Sequence, residues 1–341
     1  VTFSKLNEQT LITFFTEYGM FLAKLVTVIA IILLSVWILV RIVTRSKTFD
    51  HEHLKVKKLN DKYQKMNLAL KSAALPRKIF KKELAALKIK KRHEQKSPID
   101  SDKKRIFVIE FVGDIRARES ASLREIVTAI LTIAESRDEV VLVLESAGGA
   151  VHGYGFAASQ LLRIRKKGIK LTVAVDKIAA SGGYMMACVA DRIIAAPFAI
   201  IGSIGVIGQM PNFNRLLKNL DIDYEQVTAG EYKRTLSIFG ENTDTGRRKA
   251  QEDINETHQL FKDFVIANRS QIDIEKIATG EHWYGTRALE LKLVDELCTS
   301  DDYLVQSAGS ADLFLINYVR RKPFTERLFS SFTSTIIRLI Q

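Results

Sequence analysis

Residues 25–40 carry no charge over sixteen positions. In water such a segment has to be buried inside a protein; in a bilayer it needs no cover at all. Read back to Met20, with the Lys24 ammonium reaching outward along its own alkyl stem, the run is about 21 residues long, roughly 30 Å as a helix, which matches a hydrocarbon core. Phe14, Phe15 and Tyr18 flank it on one side and Arg41, Arg45 and Lys47 on the other, as interfacial anchors do. A secretory leader has its positive charge before the apolar run and a small-residue cleavage site after it. Here the charge follows, and Arg41-Ile-Val-Thr-Arg-Ser-Lys47 offers no such site. The expectation is one transmembrane helix over residues 20–43 behind a flank at 1–19, with a buried core helix as the competing reading. The other long apolar stretch, residues 193–207, is interrupted by Pro197, Gly202 and Gly205. It is too short to span and reads as buried strand and turn.

Charge divides the rest of the chain. The net charge is +12, yet residues 41–105 alone hold 21 Lys and Arg against 7 Asp and Glu, so the remainder is close to neutral. Residues 44–104 therefore read as a basic, partly helical connector, with apolar Phe80, Leu84, Leu87 and Ile89 at helical spacing. A basic helix beside a membrane lies on anionic lipid or extends as a solvated spacer. With no aromatic interleaving and no reader motif, nucleic acid is not an expected partner.

After Asp102 the texture becomes an alternation of strands and helices. Residues 105–112, 140–145 and 169–175 read as strands, and residues 122–135 and 154–167 as helices between them. Near-continuous apolar strands in a βαβα order predict a parallel sheet covered on both faces. A long polar-faced helix follows at residues 244–267. After Pro323 an amphipathic helix is expected in a tail over residues 310–341, leaving 105–309 as the α/β body. An apolar content of 47% supplies a sizeable core, and with only Cys188 and Cys298 there is no disulfide framework and no cysteine-rich metal site.

Two glycine-bearing turns follow strands of this body. Ser146-Ala-Gly-Gly149 frees backbone N–H groups at the carboxyl end of the sheet, where open α/β sheets place their sites. Its spacing is not that of a dinucleotide fingerprint, and an ordinary strand-to-helix turn is the alternative. Ala179-Ala-Ser-Gly-Gly183 sets the Ser181 hydroxyl at the start of a helix, as a nucleophile or as an N-cap. A nucleophilic serine needs a base. Among the histidines, His152, His258 and His282 lie in the body; His152 adjoins the first glycine turn, within reach of a site, and structural or surface residues are the competing reading for all three. A lysine serves in their place when apolar surroundings disfavour its ammonium form, and Lys233 follows an apparent strand among glycine and aromatic residues.

Taken together and in order, Ser146-Ala-Gly-Gly149, Ala179-Ala-Ser-Gly-Gly-Tyr184, Gly202-Ser-Ile-Gly-Val206 and Gly230-Glu-Tyr-Lys-Arg234 resemble the signal peptide peptidase A family of serine–lysine proteases. The family resemblance covers roughly residues 105–300. It implies Ser181 as nucleophile and Lys233, 52 residues later, as general base. It also implies the Gly149 and Gly182 N–H groups as oxyanion hole and Ser203 as the residue that orients the lysine. Ala147 stands where the family typically has proline, which loosens that turn. The implied fold is crotonase- and Clp-protease-like, built of repeated ββα units that assemble into a homo-oligomeric ring. The implied substrates are hydrophobic peptides or membrane-protein segments, including remnant signal peptides, and no metal or organic cofactor is required.

Two other functions compete: a crotonase-like acyl-CoA enzyme using similar glycine N–H groups, and a non-catalytic membrane scaffold. The expected location is a bacterial inner membrane, crossed once. The excess of basic residues after the apolar run places the body in the cytoplasm, whereas the family likeness places the site outside it, so the side stays open.

Overall fold

The computed structural model describes residues 2–45, 52–96 and 103–319. The chain divides into two compact units, one holding residues 1–52 and 320–341, the other residues 53–319. The amphipathic helix expected after Pro323 lies outside the described residues.

Among the described residues of the first unit, α1 (Thr2–Arg45) is a helix 44 residues long. Its segment Thr16–Trp37 has a mean hydropathy of 2.4 over 22 residues, and none of it is buried. That is long and apolar enough to cross a membrane. The two hydroxyls in its uncharged stretch, residues 25–37, need no water. Thr27 Oγ1 donates to the Ala23 carbonyl at 2.6 Å and Ser35 Oγ to the Ile31 carbonyl at 2.7 Å, the internal satisfaction that a spanning helix requires.

The second unit runs in chain order through β1 (His53–Lys58), α2 (Leu59–Ala74), α3 (Arg77–Lys96), β2 (Arg105–Val112), α4 (Ser120–Ile133), β3 (Glu139–Glu145), α5 (Val151–Lys166), β4 (Lys170–Val175), β5 (Ile178–Ala180) and α6 (Gly182–Ala187). It continues with β6 (Arg192–Ala195), β7 (Ile200–Gly202), α7 (Asn214–Asn219), α8 (Asp244–Asn268), α9 (Ile274–Ile277), β8 (His282–Tyr284), α10 (Gly285–Glu290), β9 (Glu296–Leu297), α11 (Ser300–Ser307) and β10 (Asp312–Val319). Seven strands form one sheet in the order β1-β10-β2-β3-β4-β6-β9, and β5-β7-β8 form a second. In the larger sheet only the β1–β10 pair is antiparallel. The protein is thus a mixed α/β body built on a parallel sheet, with one apolar N-terminal helix.

The sequence pattern accounts for the layers. In β3, Val140, Leu142 and Leu144 face one side and Val141 the other, all buried, so the strand has no polar face to alternate. The first side packs against α4 and α5 through Leu123, Ile126, Val127 and Ile130 and through Tyr154, Ala157, Ala158 and Leu161, each set at helical spacing. Ile106, Val108, Val141 and Leu313 pack on the opposite side with Leu59 of α2 and Leu304 of α11. Two stretches assigned outside the body by sequence lie within it. Residues 53–58 of the expected connector pair with β10, and residues 312–319 of the expected tail are inserted between β1 and β2. The compact unit accordingly extends from 53 to 319 rather than from 105 to 309.

Candidate active site

The two glycine turns meet at the carboxyl ends of the strands. Ser146 splices them: its N–H donates to the Ile178 carbonyl at 2.8 Å, and the Ala180 N–H donates to the Ser146 carbonyl at 3.0 Å. Gly148 then lies so near the second turn that an added methyl would sit 2.7 Å from Gly182 N and 2.8 Å from Ser181 Cβ. With its φ at +89° as well, the position is closed to other residues. Gly182 is closed for a different reason, since a methyl there would fall 2.4 Å from Cγ of the Tyr154 ring. Although Ala147 stands where proline was expected, the turn is held, because the Gly148 N–H donates to Ser146 Oγ at 3.0 Å.

Ser181 occupies the single residue between β5 and α6, at φ 52° and ψ −119°. This is a strand–turn–helix elbow with a non-glycine residue in a sparsely populated conformation, a local geometry that presents a serine hydroxyl outward. Its backbone is fixed by donation of its N–H to the Gly202 carbonyl at 2.8 Å. Its side chain makes no capping bond to α6, which removes the N-cap reading. Among the described residues, the N–H groups of Gly149 and Gly182 donate to no protein acceptor. Gly149 is also exposed.

Parallel pairing sets Ala180 opposite Gly202, so Ser203 begins one residue beyond the same rung as Ser181. It too has a positive φ, 52°, and its N–H donates to the Glu281 carbonyl at 2.7 Å. The structure thus gathers Ser181, Gly182, Ser203 and the turn containing Gly149.

Lys233 makes no hydrogen bond to Ser181. That residue is exposed, where sequence led to the expectation of apolar surroundings. The cause lies in the segment that carries it. Between β7 and α8 the only regular element is the short helix α7, which buries nothing. Apolar residues of this segment stand open, with Ile207 80% and Val227 100% exposed and Leu216, Leu220 and Ile222 about half so. None of the described histidines hydrogen-bonds Ser181 either; His152 and His282 are exposed. Cys188, at the C-cap of the buried helix α6, is no rival nucleophile, because burial pushes its thiol up to about 12.

One contributor went unseen in the sequence. Tyr154, fully buried on α5, lies beneath both turns, and its hydroxyl is 2.6 Å from Ser146 Oγ. Burial, ahead of the opposing Ser146 hydrogen bond, raises its phenol above the ordinary value. In the sequence it is one more aromatic on an apolar helix face, and nothing separates it from core.

Comparison with known proteins gives the family. Residues 13–161 match the model for the peptidase family S49 N-terminal region, and residues 163–313 the model for peptidase family S49. The chain is 49% identical over 320 residues to the probable protease SohB of Buchnera aphidicola subsp. Acyrthosiphon pisum, covering 94% of each. It is 46% identical over 335 residues to the probable protease SohB of Haemophilus influenzae, covering 95% of each. A putative protease of Methanocaldococcus jannaschii is 36% identical over 168 residues, 48% of this chain and 53% of that one. With nearly its whole length matched, the chain belongs to peptidase family S49, a family of serine proteases.

Proposed function

We propose that the protein is a membrane-anchored serine endopeptidase in which Ser181 is the nucleophile and Lys233 the general base. The observation that carries this reading is the elbow itself: a strained, uncapped serine beside two backbone N–H groups with no protein acceptor. The Ser181 hydroxyl attacks the peptide carbonyl and its proton passes to the neutral Lys233 amine. Gly149 and Gly182 N–H groups hold the oxyanion, and Lys233 returns the proton to the leaving amine as the C–N bond breaks. Water, activated by the same amine, then releases the acyl group. Ser203, adjoining Ser181, orients the amine.

In the single chain the lysine is exposed, and the segment bearing it exposes its apolar side chains. Self-association into a ring covers that segment and completes the dyad. The repeated passage from a strand of the large sheet to a strand of the small one, as in β4–β5–α6, supports a crotonase- and Clp-protease-like body. The apolar helix and the exposed apolar side chains of the segment bearing Lys233 favour hydrophobic peptides or membrane-protein segments, remnant signal peptides among them, at a bacterial inner membrane.

The base is tested by pH. Only a neutral amine accepts the serine proton, so kcat/KM for an apolar peptide rises through the neutral-to-alkaline range, and Lys233→Ala abolishes turnover. Lys233→His shifts the rise lower or leaves no activity. A rise near pH 6 that disappears in His152→Ala while Lys233→Ala stays active would mean a histidine base.

A further inference from the structure

Beneath the elbow lies a hydrogen-bonded chain whose direction is fixed by its last member. Tyr154 Oη donates to the Asp114 carbonyl at 2.8 Å. A phenol has one proton, so at its 2.6 Å contact with Ser146 Oγ the tyrosine accepts and the serine donates. With its own proton so used, Ser146 Oγ offers a lone pair upward and accepts the Gly148 N–H at 3.0 Å. The chain runs Gly148 N–H to Ser146 to Tyr154 to Asp114. Ser146 is only 2% exposed and Tyr154 is not exposed, so water does not substitute for either hydroxyl. The lower end is anchored independently: the Asp114 carboxylate is engaged by the backbone N–H and guanidinium of Arg118, which leaves the carbonyl to Tyr154.

The same tyrosine supports the other turn. Its ring occupies the space against Gly182, where a methyl would come within 2.4 Å. One side chain thus fixes the height of Gly182 by its ring and, through Ser146, the height of the Gly148–Gly149 backbone by its hydroxyl.

We infer that Ser146 and Tyr154 are positioning residues that set the spacing between the Gly149 and Gly182 N–H groups, and so the fit of the site to a tetrahedral oxyanion. This rests on the oxyanion-hole reading proposed above. Neither residue touches substrate; they act through the backbone they hold. Oxyanion stabilisation is developed in the transition state rather than on binding, so loosening the chain lowers kcat and leaves KM alone.

The test uses the full chain in detergent with an apolar peptide and a fluorophosphonate probe, in Tyr154→Phe, Ser146→Ala and the double variant. Each single change lowers kcat about tenfold, less than outright loss of an oxyanion donor, with KM within twofold. Because the two hydroxyls act in series, the double variant is no slower than Ser146→Ala. Every chain is still labelled at Ser181, only more slowly, since the phosphonyl oxygen uses the same donors. Retention of kcat within twofold in both singles, a roughly hundredfold loss in the double, or a labelled fraction that falls in step with kcat would each overturn the inference. If Ser181→Ala itself keeps full activity, the underlying reading fails and the inference with it. If Ser181→Ala is inactive while the two singles turn over normally, only the positioning role fails.

Discussion

The Ser181 backbone at φ 52° and ψ −119° is a conformation that a side-chain-bearing residue avoids. Holding it costs on the order of 1–3 kcal/mol, met by bonds such as those from the Ser181 N–H to Gly202 and from the Met185 N–H to the Ser181 carbonyl at 3.0 Å. Glycine escapes that cost and alanine does not. Ser181→Gly is therefore expected to be more stable than Ser181→Ala by roughly 1 kcal/mol, with both inactive. Denaturant unfolding of the two variants measures it, and equal midpoints would mean the elbow stores no strain. Sequence went part of the way here. A serine between Ala-Ala and Gly-Gly announces a turn, but nothing in that spelling tells a strained nucleophile from an N-cap. The difference lies in a dihedral angle and an unmade bond, both fixed by β7 from a distance in sequence. Tyr154 was less legible still, because its role depends on Ser146 and Asp114 arriving above and beside it.

Among the elements, those flanked by helices at short range were readable. Strands β2, β3 and β4 and helices α4 and α5 appear where apolar periodicity put them, shifted by a residue or a few at their ends. The outer strands were not. β1, with His53, Lys55, Lys57 and Lys58, is an edge strand whose basic side chains suit an exposed edge and look like linker in sequence. β10 follows a break at 308–311 and reads as tail in sequence, because its parallel partner, β2, lies some two hundred residues earlier. Yet Leu313 is fully buried between sheet and helix. Leu313→Ala should destabilise the body by about 2–5 kcal/mol, as much as Leu142→Ala in β3. Thermal unfolding of the two variants checks it. A loss below about 0.5 kcal/mol at Leu313 would return that segment to the tail.

For the whole molecule, the basic excess and the apolar run have separate consequences. Removing residues 1–45 takes away the described segment long enough to cross a membrane and leaves the unit at 53–319 intact. The truncated protein is expected in the soluble fraction and, because the segment bearing Lys233 keeps its exposed apolar side chains, still self-associated at micromolar concentration. Sedimentation as a monomer would contradict the assembly. Activity should also fall on dilution faster than protein concentration does. The Lys233 position is where single-chain reasoning stops: a motif names the residue, but in one copy of the chain it is exposed rather than surrounded by apolar groups. The nucleophile has no such dependence, and it is the centre of the account. Treating the full chain with a fluorophosphonate and mapping the adduct by mass spectrometry tests it most directly. The account predicts one adduct, on Ser181, absent in Ser181→Ala, with peptide hydrolysis lost in proportion to labelling. Hydrolysis that survives complete labelling of Ser181, or that persists in Ser181→Ala, would contradict it.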